Sequence, residues 1–98
     1  MLQIDTFVAS LIKKAGITDP VIRDVATRDI SIQLEEFLSL KLVEQLPIEK
    51  REEYFEMKEL FPSSFNAYEF FHDQFPDLET RMSTLLSEFE QIFLSRRS

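Results

Sequence analysis

Apolar residues recur along this chain at intervals of three and four, the spacing of a helix face rather than the alternation of a strand. The clearest stretch is 5–15. There Ile4, Phe7, Val8, Leu11, Ile12 and Ala15 keep that spacing around Asp5, a residue type that caps helix N-termini. Gly16 then supplies a residue that tolerates the left-handed conformation closing a helix, and Ile17 offers the hydrophobic contact that accompanies it.

Thr18 is the next N-cap candidate, with Asp19 and Pro20 in the first turn, where both are favoured. From there to Leu46 no glycine or proline intervenes, which predicts one helix over 19–46, about 40 Å long. A globular chain of this size has a radius of gyration near ~13 Å. A helix of that length therefore either bends near the polar stretch Thr27-Arg28-Asp29 or is covered by a second subunit. In its first half Ile22, Val25, Ala26 and Ile30 keep to one side. In 37–46, Phe37, Leu38, Leu40, Leu42, Val43 and Leu46 spread over most of the circumference, which predicts a central element buried on most sides.

Pro47 ends that helix and a charged one follows over roughly 48–60, with a stripe of Tyr54, Met57, Leu60 and Phe61 and with Phe55 on the opposite side. Pro62-Ser63-Ser64 reads as a turn with a hydroxyl N-cap, opening a short helix to about Phe75. Pro76 closes it, and Asp77 caps a last helix over 78–95 whose stripe is Leu78, Met82, Leu85, Leu86, Phe89, Ile92 and Phe93. The expectation is an all-α fold, a small bundle of about five helices around the long 19–46 helix, forming a single domain over 1–98.

Composition narrows what such a bundle does. At 98 residues and 44% hydrophobic the chain can bury a core without staples, and it has no cysteine for disulfides, thiolate metal sites or a thiol nucleophile. Its opening residues lack the basic region and continuous apolar run of a signal peptide, and no stretch is apolar for the roughly 20 residues a membrane span needs. A cytoplasmic location is expected. The net charge of −7 repels nucleic-acid phosphates and anionic lipid, so cationic partners are favoured over DNA, RNA or membrane. Residues 69–94 are the most acidic part, with Glu69, Asp73, Asp77, Glu79, Glu88 and Glu90 against Arg81 alone. Arg96-Arg97 at the end of the last helix complements its dipole.

Catalytic chemistry finds little support. The single glycine excludes a phosphate-cradling loop, and no glycine-rich elbow surrounds any serine, so His72 has no nucleophile to serve. The acids of 49–59 alternate with Lys50, Arg51 and Lys58 at helical spacings, the pattern of a solvated face. Glu69 and His72 form a Glu-x-x-His pair on one helix face, the weak candidate for a metal site; a second copy would have to supply further ligands, with Glu35, Glu36, Glu52, Glu53 and Glu56 as other carboxylates. A His72 that answers the dipole at a helix C-terminus is the stronger reading. No cofactor and no small-molecule substrate are expected, and the chain does not read as an enzyme.

Aromatic residues concentrate between Tyr54 and Phe75. Phe65, Tyr68, Phe71 and Phe75 share a face and are expected in the core, whereas Phe55 and Phe70 fall off their stripes, as does Leu94. Exposed together, Phe55 and Phe70 would mark a partner surface, with Glu69 and Asp73 beside it.

The order of features resembles a small uncharacterised family of helical bacterial proteins from candidate-phyla genomes. The resemblance lies in an opening amphipathic helix ending AGI, a long helix ending KLVEQLPIEKREEYFEM, and the closing EFFHDQFPDLETRMSTLLSEFEQIFL. It implies a compact helical protein and carries over no activity. The function expected is a non-enzymatic protein–protein interaction module, homodimeric through the long helix. Two alternatives stand beside it: an acidic inhibitor, immunity-type or charge-mimic protein occupying a basic partner through 69–94, and a carboxylate/His metal site bridging a dimer.

Overall fold

The computed structural model describes residues 4–97, without the side chain of Arg97. Five α-helices account for its regular structure: α1 (Ile4–Lys14), α2 (Pro20–Glu44), α3 (Ile48–Leu60), α4 (Ala67–Gln74) and α5 (Leu78–Arg97). No strand occurs among the described residues. None of these helices is long and apolar enough to cross a membrane.

The helix ends follow from local chemistry. After α1 the Ile17 N–H donates to the Ile12 carbonyl at 3.2 Å and the Gly16 N–H to Lys13 at 3.1 Å. With Gly16 at φ 76° this is a Schellman closure, as the AGI sequence predicts. α2 starts one residue later than expected. Asp19, not Thr18, is the cap: its Oδ1 accepts from the Val21 N–H at 2.9 Å and the Ile22 N–H at 3.2 Å, with Pro20 at the first helical position. Likewise α4 is capped by Asn66, whose side chain accepts from the Glu69 N–H at 3.1 Å, and not by Ser63 or Ser64. Those serines lie in the turn instead, where the Phe61 carbonyl accepts from the Ser64 and Phe65 N–H groups.

The chain forms two compact units, one of the described residues up to Phe37 and from Leu86 onward, the other Leu38–Leu85. α2 and α5 contribute residues to both. The first unit is centred on Val8, Leu11, Ile12, Ile30, Leu34 and Phe89, with Phe37 edge-on to Phe89 at 5.5 Å between ring centroids. The exposed pair Lys14–Glu90, at 2.8 Å, lies at its surface. The second unit buries Leu38, Leu42, Val43 and Leu46 from the α2 end, Tyr54 from α3, Phe70, Phe71 and Phe75 from the α4 region, and Leu78, Met82 and Leu85 from α5. Arg81 secures it at several points: it pairs with Asp77 at 2.9 Å, donates to Gln45, and lies over the Phe75 ring at 4.4 Å.

The long helix is continuous through Thr27-Arg28-Asp29, hydrogen-bonded over 25 residues or about 37 Å. Of the apolar residues in 37–46, Leu38, Leu42, Val43 and Leu46 are buried and Phe37 half-buried as expected, while Leu40 is exposed. Within α2 the buried positions Ile30, Leu34, Leu38 and Leu42 step by four. Each step advances about 40° around the helix, so the buried stripe winds by about 120° from Ile30 to Leu42. Off this stripe Val43 is buried and Phe37 half-buried, while Leu40 in the second half and Ile22 and Val25 in the first are in solvent.

On two other helices the buried side differs from the expected stripe. On α3 only Tyr54 of the expected set is buried, while Met57, Leu60 and Phe61 are exposed. Phe61 follows α3 at φ −130°, ψ 57°, off the helical path on which a face could be projected. On α5 Leu78, Met82, Leu85 and Phe89 are buried, Leu86 and Phe93 half-buried, and Ile92 exposed.

Candidate functional site

The aromatic cluster is built around Tyr54. Its ring is stacked on Phe71 at 5.2 Å and meets Phe65 and Phe70 edge-on at 5.3 and 5.6 Å. Phe71 in turn stacks on Phe75 at 6.4 Å. These offset and T-shaped arrangements suit the ring quadrupoles and add to the apolar burial.

Phe70 is therefore not part of a partner surface. It is 8% exposed and touches Tyr54, Phe65 and Phe71, while Tyr68, expected in the core, lies at the surface beside His72. The reason is local. Phe75 stands just past α4 in an extended conformation, φ −120° and ψ 104°, so it cannot be projected on the helix with Tyr68 and Phe71. The face α4 turns inward is Ala67, Phe70, Phe71 and Gln74, itself at helical spacing.

On the outer side of α4, Tyr68, Glu69, His72 and Asp73 line a shallow surface depression. His72 sits in the last turn of α4, where a protonated imidazole complements the helix dipole. Glu69 and His72 are thus neighbours as their spacing predicts. Among the described residues no group of three or more His, Asp or Glu side chains is arranged to hold a metal ion. A site here would need ligands from a second copy.

Among the acids of 69–94, two are engaged by cations of this chain: Asp77 by Arg81 and Glu90 by Lys14. The hydrogen bond from Arg81 holds the Asp77 carboxyl below its usual value. Glu69 and Asp73 are exposed on α4 with no salt bridge among the described residues.

Phe55 stays exposed, as expected, at 53%. One group of exposed apolar residues that sequence spacing missed lies on the first half of α2. Val21, Ile22, Val25 and Ile32 are 72, 58, 54 and 51% exposed, and on a helical projection they fall on one broad face opposite Ile30 and Leu34. The signal was in the sequence as Val21 and Ile32, which do not fit the side assigned to Ile22, Val25 and Ile30.

No protein-family model, no curated protein and no solved structure matches the chain.

Proposed function

We propose that this protein is a non-enzymatic interaction module that self-associates through the first half of α2. The observation that carries the reading is the face formed by Val21, Ile22, Val25 and Ile32. Four large aliphatic side chains in solvent on one helix side are better explained by a covering surface than by chance exposure. Nothing among the described residues of the chain covers them.

Charge favours a second copy in antiparallel orientation. In a parallel two-fold pair each residue meets itself, setting Asp29 against Asp29 and Glu36 against Glu36. In an antiparallel pair centred between residues 28 and 29, Val25 comes level with Ile32 of the second copy and Arg28 with its Asp29. The same contacts repeat across the two-fold axis, as an isologous interface requires. Neither Arg28 nor Asp29 has a salt-bridge partner among the described residues, so both are available.

Because the chain has no cysteine, single introduced thiols report this register cleanly. An equimolar mixture of Val25→Cys and Ile32→Cys, oxidised in air, is expected to give the mixed 25–32 disulfide ahead of either homodimer. Failure of any pair to cross-link above the rate of a thiol placed at Glu79 would refute the proposal.

A further inference from the structure

A second apolar face, on α3, is distinct in kind from that on α2. Ile48, Phe55 and Leu60 are 69, 53 and 60% exposed. At 100° per residue Ile48 and Phe55 lie within about 20° of one another, and Glu52 and Glu59 fall on the same line. Glu56 and Glu49 lie just beside them, toward Leu60.

The bases of α3 are elsewhere. The Arg51 guanidinium donates to the Leu46 carbonyl at 2.9 Å and to the Glu44 carbonyl, satisfying orphan acceptors at the end of α2. The Lys58 ammonium lies 5.9 Å from the centroid of the buried Tyr54 ring. Lys50 is tied to Glu53 at 3.0 Å. What reads in sequence as alternating charge is therefore segregated in space, with bases on the Tyr54 side and acids on the outer side.

Glu49, Glu52, Glu56 and Glu59 have no ion pair or hydrogen bond from a side chain among the described residues. Their placement costs the isolated helix stability. Glu52 and Glu56 are four apart and Glu56 and Glu59 three apart, so they repel, and the last two sit toward the C-terminal end, where the dipole disfavours negative charge. A cation brought by a partner relieves both costs.

We infer that the outer face of α3 docks a cationic amphipathic helix of another protein, its apolar stripe on Ile48 and Phe55 and its lysines or arginines on Glu52, Glu56 and Glu59. Helix-on-helix docking of this type uses apolar contacts for affinity and charge for orientation, here with Glu52 and Glu59 interleaved with Ile48 and Phe55 and Glu56 beside them. An anionic or neutral partner would leave the glutamates facing one another without relief. This face is independent of the α2 surface and does not depend on self-association.

The test uses the full chain and a fluorescein-labelled synthetic helix with leucines along one face and lysines along its flanks, read by anisotropy at two salt concentrations. A matched peptide with glutamine for lysine is the control. The expected results are binding of the lysine peptide that weakens with salt, and about tenfold weaker binding of the glutamine peptide. Phe55→Ala and the triple variant Glu52→Gln/Glu56→Gln/Glu59→Gln are each expected to lose about tenfold in affinity with unchanged helical circular dichroism, since all four side chains are exposed. Glu69→Gln/Asp73→Asn is expected to bind as the native chain does, and so is Val25→Glu, which breaks the α2 face.

Equal binding of the two peptides, or α3 variants that bind as tightly as the native chain, would overturn the inference. Loss of affinity in Glu69→Gln/Asp73→Asn alone would overturn it in favour of the α4 surface. A Phe55→Ala variant that changes the sedimentation mass while peptide affinity holds would overturn it in favour of a second copy on this face.

Discussion

Truncating Phe70 separates the core reading of α4 from the partner-surface reading more sharply than any other single change. The ring is almost fully buried and lies within 6.0 Å of the Phe65 and Phe71 centroids and 5.6 Å of Tyr54. Phe70→Ala removes the apolar contribution of a buried aromatic and leaves a void in a cluster held by Tyr54, which together cost about 3–5 kcal/mol. In a domain of this size each kcal/mol moves Tm by roughly 4–8 °C, so a fall of at least about 12 °C is expected. Phe70→Leu keeps most of the volume and loses the ring contacts, for about 1–2 kcal/mol. Urea unfolding followed by far-UV circular dichroism and by tyrosine fluorescence measures both. Tyr68→Ala, two residues earlier and on the outer side, is the internal control and should cost under about 1 kcal/mol. If Phe70→Ala costs less than 1 kcal/mol, or Tyr68→Ala costs more than Phe70→Ala, the inward face assigned to α4 is wrong.

Leu42 lies fully within the second unit, so Leu42→Ala should cost about 2–5 kcal/mol in the same urea assay, and a loss below 1 would contradict its burial. Gly16→Ala meets no atom within 4 Å yet must hold φ 76°, so it should destabilise by about 1 kcal/mol; a neutral effect would argue against the left-handed closure of α1. The Asp77–Arg81 pair adds a small acid dependence. Because the folded Asp77 carboxyl titrates below its unfolded value, its contribution is present above the unfolded carboxylate pKa and is lost as pH falls through the folded one. The native chain should accordingly exceed Asp77→Asn in urea midpoint at neutral pH, with the gap closing in acid, and a gap that widens in acid would reverse the assignment.

The existence of all five helices was legible because spacing of three and four, a single glycine and well-placed prolines are local signals. The Schellman end of α1 was legible for the same reason. Which side each helix buries was less so, and the misses have identifiable causes. Phe61 and Phe75 stand past the ends of α3 and α4, so projecting them as helical pulled Met57, Leu60 and Tyr68 into faces they do not occupy. On α2 a stripe that winds by four-residue steps has the same composition as a helix buried all round. Only the tertiary structure distinguishes them, and in 37–46 it does so through the exposed Leu40 alone.

The candidate surfaces followed the same division. Phe55 was visible from its own helix, because being off the stripe of α3 depends on Tyr54 and not on distant packing. The common face of the α3 acids follows from helical spacing, but the engagement of its bases was not visible. It depends on Arg51 reaching carbonyls at the end of α2 and on Lys58 lying over a ring, and sequence spacing reports neither contact. Self-association through the long helix was expected from its length and all-round apolar character; the proposal rests instead on the exposed face of Val21, Ile22, Val25 and Ile32.

Sedimentation equilibrium at micromolar concentration, on the native chain beside Val25→Glu and Ile32→Glu, measures association through α2 itself. Self-association through α2 predicts a native mass approaching twice 11.6 kDa and a single 11.6 kDa species for both variants, each still helical. A native chain that stays at 11.6 kDa, or glutamate variants that remain dimeric, would contradict it.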